Sequence, residues 1–85
     1  MIEILLALST GHLREQTCNT WLHEAPLATF AKGDHGWFVY VADDEPDDLP
    51  PDLRDCLTLA RSLDCDWVMF DRDVEPIAEL PVYTW

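Results

Sequence analysis

Basic residues are scarce: five Lys and Arg stand against 17 Asp and Glu in 85 residues, a formal net charge of −12. Nucleic acid and anionic membranes are polyanions, so this balance excludes unaided binding to either. Cysteine is sparse and odd in number. The spacings between Cys18, Cys56 and Cys65 fit neither a zinc pattern nor a Cys-x-x-Cys redox pair, so buried thiols in a reducing cytosol are expected. Long hydrophobic runs are missing as well. Ile2 to Leu8 is too short for a signal sequence and carries Glu3 in place of a basic flank, and no run reaches transmembrane length. Repeats and low-complexity tracts are absent. What remains is a single domain, residues 1–85, whose hydrophobic content of 48% with four Trp, three Phe and two Tyr can fill one core.

The acids are unevenly spread. Between Val41 and Asp55 lie Asp43, Asp44, Glu45, Asp47, Asp48, Asp52 and Asp55, seven of the 17, with Arg54 the one base among them. Such a field is either a solubility device or a surface for a basic partner; the clustering favours the partner. A second row, Asp64, Asp66, Asp71, Asp73 and Glu75, brackets the last strand.

Ile2 to Leu8 reads as a buried, central strand. Ser9 or Thr10 caps a helix expected to run to about His23, with Leu13, Thr17, Cys18, Trp21 and Leu22 on one face. Leu27–Ala31 and Trp37–Val41 form a hairpin around Lys32-Gly33-Asp34-His35-Gly36. A connector stiffened by Pro46, Pro50 and Pro51 leads into a second helix, Pro51–Leu63, with Leu53, Cys56, Leu57, Ala60 and Leu63 on its inner face. Trp67–Phe70 is the last core strand. This order predicts an α+β, ferredoxin-like βαββαβ domain: a four-stranded antiparallel sheet with two helices on one face. Both faces of the strands are apolar, with Trp37, Val39 and Val41 on one side and Phe38 and Tyr40 on the other. Something must cover the second face, and the nearest cover is the tail, residues 76–85, expected to pack on the sheet; a homodimer or a partner is the alternative.

No constellation for catalysis emerges, and no cofactor is expected. Asp71-Arg72-Asp73-Val74 has the look of a phosphatase nucleophile motif, but only 11 residues follow Val74, too few to supply the further groups such chemistry needs. Loops begun at Asp71 or Asp43 lack the Gly and Glu that a calcium loop requires. His12, His23 and His35 share no face with ligand spacing and are expected to cap or face solvent. The aromatics of an open sheet could stack RNA bases, but the charge opposes it.

Ser9-Thr10-Gly11-His12-Leu13, Gly36-Trp37-Phe38-Val39-Tyr40, Leu53-Arg54-Asp55-Cys56-Leu57, Cys65-Asp66-Trp67 and Leu80-Pro81-Val82-Tyr83-Thr84-Trp85 together resemble an uncharacterised family of short proteins carried by bacterial plasmids and prophages. The resemblance implies an accessory protein of a mobile element, among which anti-CRISPR and anti-restriction inhibitors are common. The expected function is a non-enzymatic, DNA-mimic inhibitor acting in the bacterial cytoplasm. It would block a basic nucleic-acid-binding surface, most specifically that of a CRISPR effector. Its partner-binding residues would be Asp43, Asp44, Glu45, Asp47, Asp48, Asp52, Asp55, Asp64, Asp66, Asp71, Asp73 and Tyr40. The alternative is a hydrophobic interaction module or homodimer that uses the helix-free sheet face, with the acids serving solubility.

Overall fold

The computed structural model describes residues 1–24, 29–32, 36–43 and 48–84. Among these residues, four strands form one sheet: β1, Leu5–Ser9; β2, Thr29–Lys32; β3, Gly36–Tyr40; and β4, Trp67–Asp71. The same residues hold the α-helices α1 (Glu15–Asn19) and α2 (Pro51–Ser62), with short 3-10 turns at Thr10–His12 and Trp21–Glu24 flanking α1. Alternation governs the strands. Trp37, Val39, Val68 and Phe70 point inwards and are buried, while Phe38, Tyr40, Trp67 and Met69 point the other way. Helix α2 lays Leu53, Cys56, Leu57 and Ala60 into the same core as Leu8, Leu13 and Leu22. Each fully buried Leu contributes roughly 1.5–3 kcal/mol relative to exposure.

The sheet is mixed, not antiparallel throughout, and its order is β1-β4-β3-β2. β4 runs parallel to β1 and antiparallel to β3, and β2 pairs antiparallel with β3. The ferredoxin-like expectation therefore holds at the level of α+β elements and fails in sheet topology. β1, expected at the centre, lies at an edge, and β4 occupies the centre. The reason is the direction of α2. Val41 N–H donates to Asp66 O at 2.8 Å, so β3 leaves the sheet beside the start of β4. Helix α2 begins at the opposite end, where Asp52 accepts from Arg14 N–H at 2.7 Å and Thr17 Oγ1 at 3.1 Å. It then descends to Cys65 and Asp66, the latter donating its N–H to Ile4 O at 2.7 Å. A strand leaving from there can only run alongside β1 in the same direction. Hydrophobic runs identify strands but carry no information about which strand is the neighbour.

The continuous first helix is also corrected. Leu13 (φ −113°, ψ 147°) and Arg14 (φ −72°, ψ 154°) are extended and separate the Thr10–His12 turn from α1. Ser9 does cap, its Oγ accepting from Gly11 N–H at 3.0 Å. Two tertiary bonds explain the breaks: Asp52 takes the Arg14 amide, and Cys18 O accepts from Trp37 Nε1–H at 3.0 Å. Each diverts a backbone group that a continuous helix would use.

The tail is corrected too, because the contacts of its described residues lie on the helix side and not on the sheet's second face. Ile77 N–H donates to His12 Nε2 at 3.0 Å, His12 Nδ1 bonds Pro81 O at 2.8 Å, and Tyr83 N–H donates to Gly11 O at 2.8 Å. Leu80 enters the core, and residues 79–81 border a groove against Asp55, Thr58, Leu59 and Ser62 of α2. His12, expected to cap or face solvent, is 1% exposed and has both ring nitrogens engaged. Ile77 must donate to Nε2, so the proton sits on Nδ1 and points at Pro81.

Candidate partner-binding surface

The acids divide into two groups by their hydrogen bonds. Asp52 is only 3% exposed, and its carboxylate is spent on Arg14 and Thr17. Asp66 Oδ2 accepts from Ile4 N–H at 2.8 Å. Asp71 is buried at the end of β4, and its Oδ1 accepts from Asp73 N–H at 2.9 Å, forming an Asx turn that redirects the chain. These three are structural, whatever else they face. Asp43, Asp48, Asp55, Asp64 and Asp73 are exposed. Asp44, Glu45 and Asp47, the middle of the connector, lie outside the described residues. The cluster read from the sequence thus opens outward at Asp43, Asp48 and Asp55 and turns inward at Asp52. Nothing in the spacing signalled this, since Asp52 at the first turn of α2 also fits a helix-dipole role.

Asp64 has a further constraint. It follows α2 with φ 57°, in the left-handed region. Asp64 N–H donates to Arg61 O at 3.1 Å and Cys65 N–H to Ala60 O at 2.9 Å, the two bonds of a Schellman ending.

The second surface is the sheet face without helices. The register sets Leu5, Trp67 and Tyr40 in one row and Ala7, Met69, Phe38 and Phe30 in the next. Phe30 is 58% exposed, Leu5 44% and Tyr40 40%. The Trp67 ring lies 5.1 Å from Tyr40, edge to face, and 5.9 Å from Phe30, tilted. Its indole Nε1–H donates to Glu3 Oε2 at 2.6 Å. Sequence alternation found Phe38 and Tyr40 on this face but missed Phe30 and Glu3, which only the pairing brings to Trp67.

A cleft of about 470 Å³ lies between α1 and the start of α2, bordered by Arg14, Thr17, Trp21, Asp48 and Pro50. Arg14 also stacks over the Tyr83 ring at 5.1 Å. The cleft brings together a cation, hydroxyls and carboxylates, but the Thr17 hydroxyl and Asp52 in its lining are already bonded to each other. Among the described residues, no group of three His, Cys, Asp or Glu side chains is placed to hold a metal. Burial, reinforced by Asp52 and then Asp55, pushes the Cys56 thiol up to about 12. Burial also raises Cys18, partly offset by Trp37. Both shifts disfavour the thiolate, which is the reactive form of a cysteine. No described helix is long and apolar enough to cross a membrane.

Fold and surface together define a small α+β domain with an acidic exterior and one aromatic sheet face that no described helix covers. The chain belongs to the Family of unknown function (DUF5983) C-terminal domain, whose model matches residues 5–85. No curated protein and no solved structure matches it.

Proposed function

We propose that the protein is a non-enzymatic, acidic binding domain that occupies a basic surface on another protein. The observation that carries this reading is the net charge of −12 combined with carboxylates at Asp43, Asp48 and Asp55 that project to solvent. Exposed carboxylates in this number can stand in for phosphates before Arg and Lys, speeding encounter and making the complex salt-sensitive. In its most specific form the partner is a nucleic-acid-binding complex of bacterial defence, such as a CRISPR effector. The domain then acts as a DNA mimic in the cytoplasm, encoded on a mobile element.

The test is affinity capture at low and high salt, beside a variant with Asp43→Asn, Asp48→Asn and Asp55→Asn. Asp52 is left intact because its carboxylate holds α1. The expected result is a nucleic-acid-binding protein captured by the native chain alone, released by high salt and displaced by added duplex DNA. Equal capture by both forms, indifferent to salt and DNA, rejects the mimic.

A second reading rests on the exposed face of Phe30, Tyr40 and Leu5: an interaction module or homodimer in which the acids only solubilise. Two copies at −12 each repel one another, which disfavours the homodimer.

A further inference from the structure

We infer that the helix-free face carries a binding site for a single cationic side chain, an Arg or Lys presented by a basic protein segment, with Trp67 at its centre. The inference deepens the reading of the chain as a binder of a basic partner and rests on it. Three rings meet here: Trp67 contacts Tyr40 at 5.1 Å and Phe30 at 5.9 Å, at interplanar angles of 71° and 46°. Rings inclined in this way leave parts of their electron-rich faces turned to solvent, Phe30 at 58% and Tyr40 at 40% exposed, and such faces attract a cation within about 6 Å. Glu3 adds the charge. Its carboxylate accepts the Trp67 indole N–H at 2.6 Å, which draws the indole dipole towards an anion and enriches the ring face. Asp66, on the residue before Trp67, is fixed at the same end of the sheet by Ile4 N–H.

An apolar occupant would bury the rings but set a desolvated edge against Glu3; a cation satisfies both. The charge of the whole chain selects in the same direction. Two of its five bases are committed on the other side of the sheet, Arg14 over Tyr83 and Arg61 to the Ala42 carbonyl at 3.1 Å. The acids read from the sequence and the aromatics of the open face thereby serve one partner: carboxylates for its basic field, the ring faces for one anchoring side chain.

The experiment is a titration of the full chain, isotopically labelled, with a tetra-arginine peptide and with tetra-citrulline, its neutral isostere, followed by 1H–15N NMR. The expected result is a saturable shift of the Trp67 indole N–H with tetra-arginine and none with tetra-citrulline. Tyr40→Leu and Phe30→Leu should each weaken tetra-arginine binding by about two- to five-fold. If Tyr40→Leu fails to give a dispersed spectrum, Phe30→Leu decides, since that ring is 58% exposed and its loss opens no core. Movement of the Asp43, Asp48 and Asp55 amides with the Trp67 indole unmoved overturns the aromatic site and leaves the acidic-surface reading standing. A responsive Trp67 in a chain whose capture is indifferent to salt does the reverse. Concentration-dependent shifts of the Trp67 indole N–H and the Phe30 and Tyr40 amides without peptide assign the face to a second copy and overturn the proposal.

Discussion

Asp52 shows how one residue can be counted with a surface cluster and yet belong to the core. Its two oxygens fasten the start of α1 to the start of α2, and a buried donor left without its acceptor costs about 1–3 kcal/mol. Asp52→Ala should therefore lower the unfolding free energy by that amount in urea titrations, while Asp55→Asn, at an exposed site, should stay within about 0.5 kcal/mol of the native chain. The cysteines separate in the same way. Cys65 is half-buried and Cys18 and Cys56 are buried, so an alkylating reagent followed by mass spectrometry should label Cys65 first and the other two only on unfolding. Raising a thiol pKa on folding favours the protonated form in the native state. The stabilising effect of a protonated Cys56 is present below the ordinary value of 9.0 and is lost as pH climbs towards about 12. Thermal unfolding scans should show the midpoint falling across that window, less steeply in Cys56→Ala.

At the scale of elements, two endings are set by backbone geometry. Asp64 holds a left-handed conformation that side chains resist by roughly 1–2 kcal/mol. Asp64→Gly should thus raise stability by about 0.5–1 kcal/mol in the same titrations, net of the added freedom of the unfolded chain. Gly36 opens β3 in register with Asp71, and a Cβ there would be driven into the Phe70 carbonyl. Gly36→Ala must push β3 off β4. It should abolish the cooperative transition or shift it far down, with loss of dispersed methyl resonances. Much at this scale was legible in the sequence. Period-two alternation separated Trp37 and Val39 from Phe38 and Tyr40, and the period of Leu53, Cys56, Leu57 and Ala60 located α2. The first helix was not legible, because its breaks come from Asp52 and Trp37, partners 38 and 19 residues away. Local pattern cannot register a hydrogen bond made by a distant side chain. His12 escaped for the same reason: its two partners, Ile77 and Pro81, belong to the tail.

For the whole molecule, charge and topology are the governing features. Seventeen acids against five bases make the folded state work against its own repulsion, so adding salt should raise the unfolding midpoint measured by circular dichroism. The same salt should weaken any complex made through the carboxylates, and opposite signs in the two experiments separate self-repulsion from recognition. The net charge was plain in the sequence. The sheet order was not, since it depends on the end at which α2 begins. That order carries a consequence for how the chain is made. With β4 between β1 and β3, the β1 strand must wait for a partner 62 positions further on, Leu5 for Trp67. During synthesis at roughly 5–20 residues per second, the earlier strands emerge as an isolated hairpin and an unpaired edge. The domain can close only after Asp71 has cleared the ribosome, so it folds after translation of its sheet and not along with it.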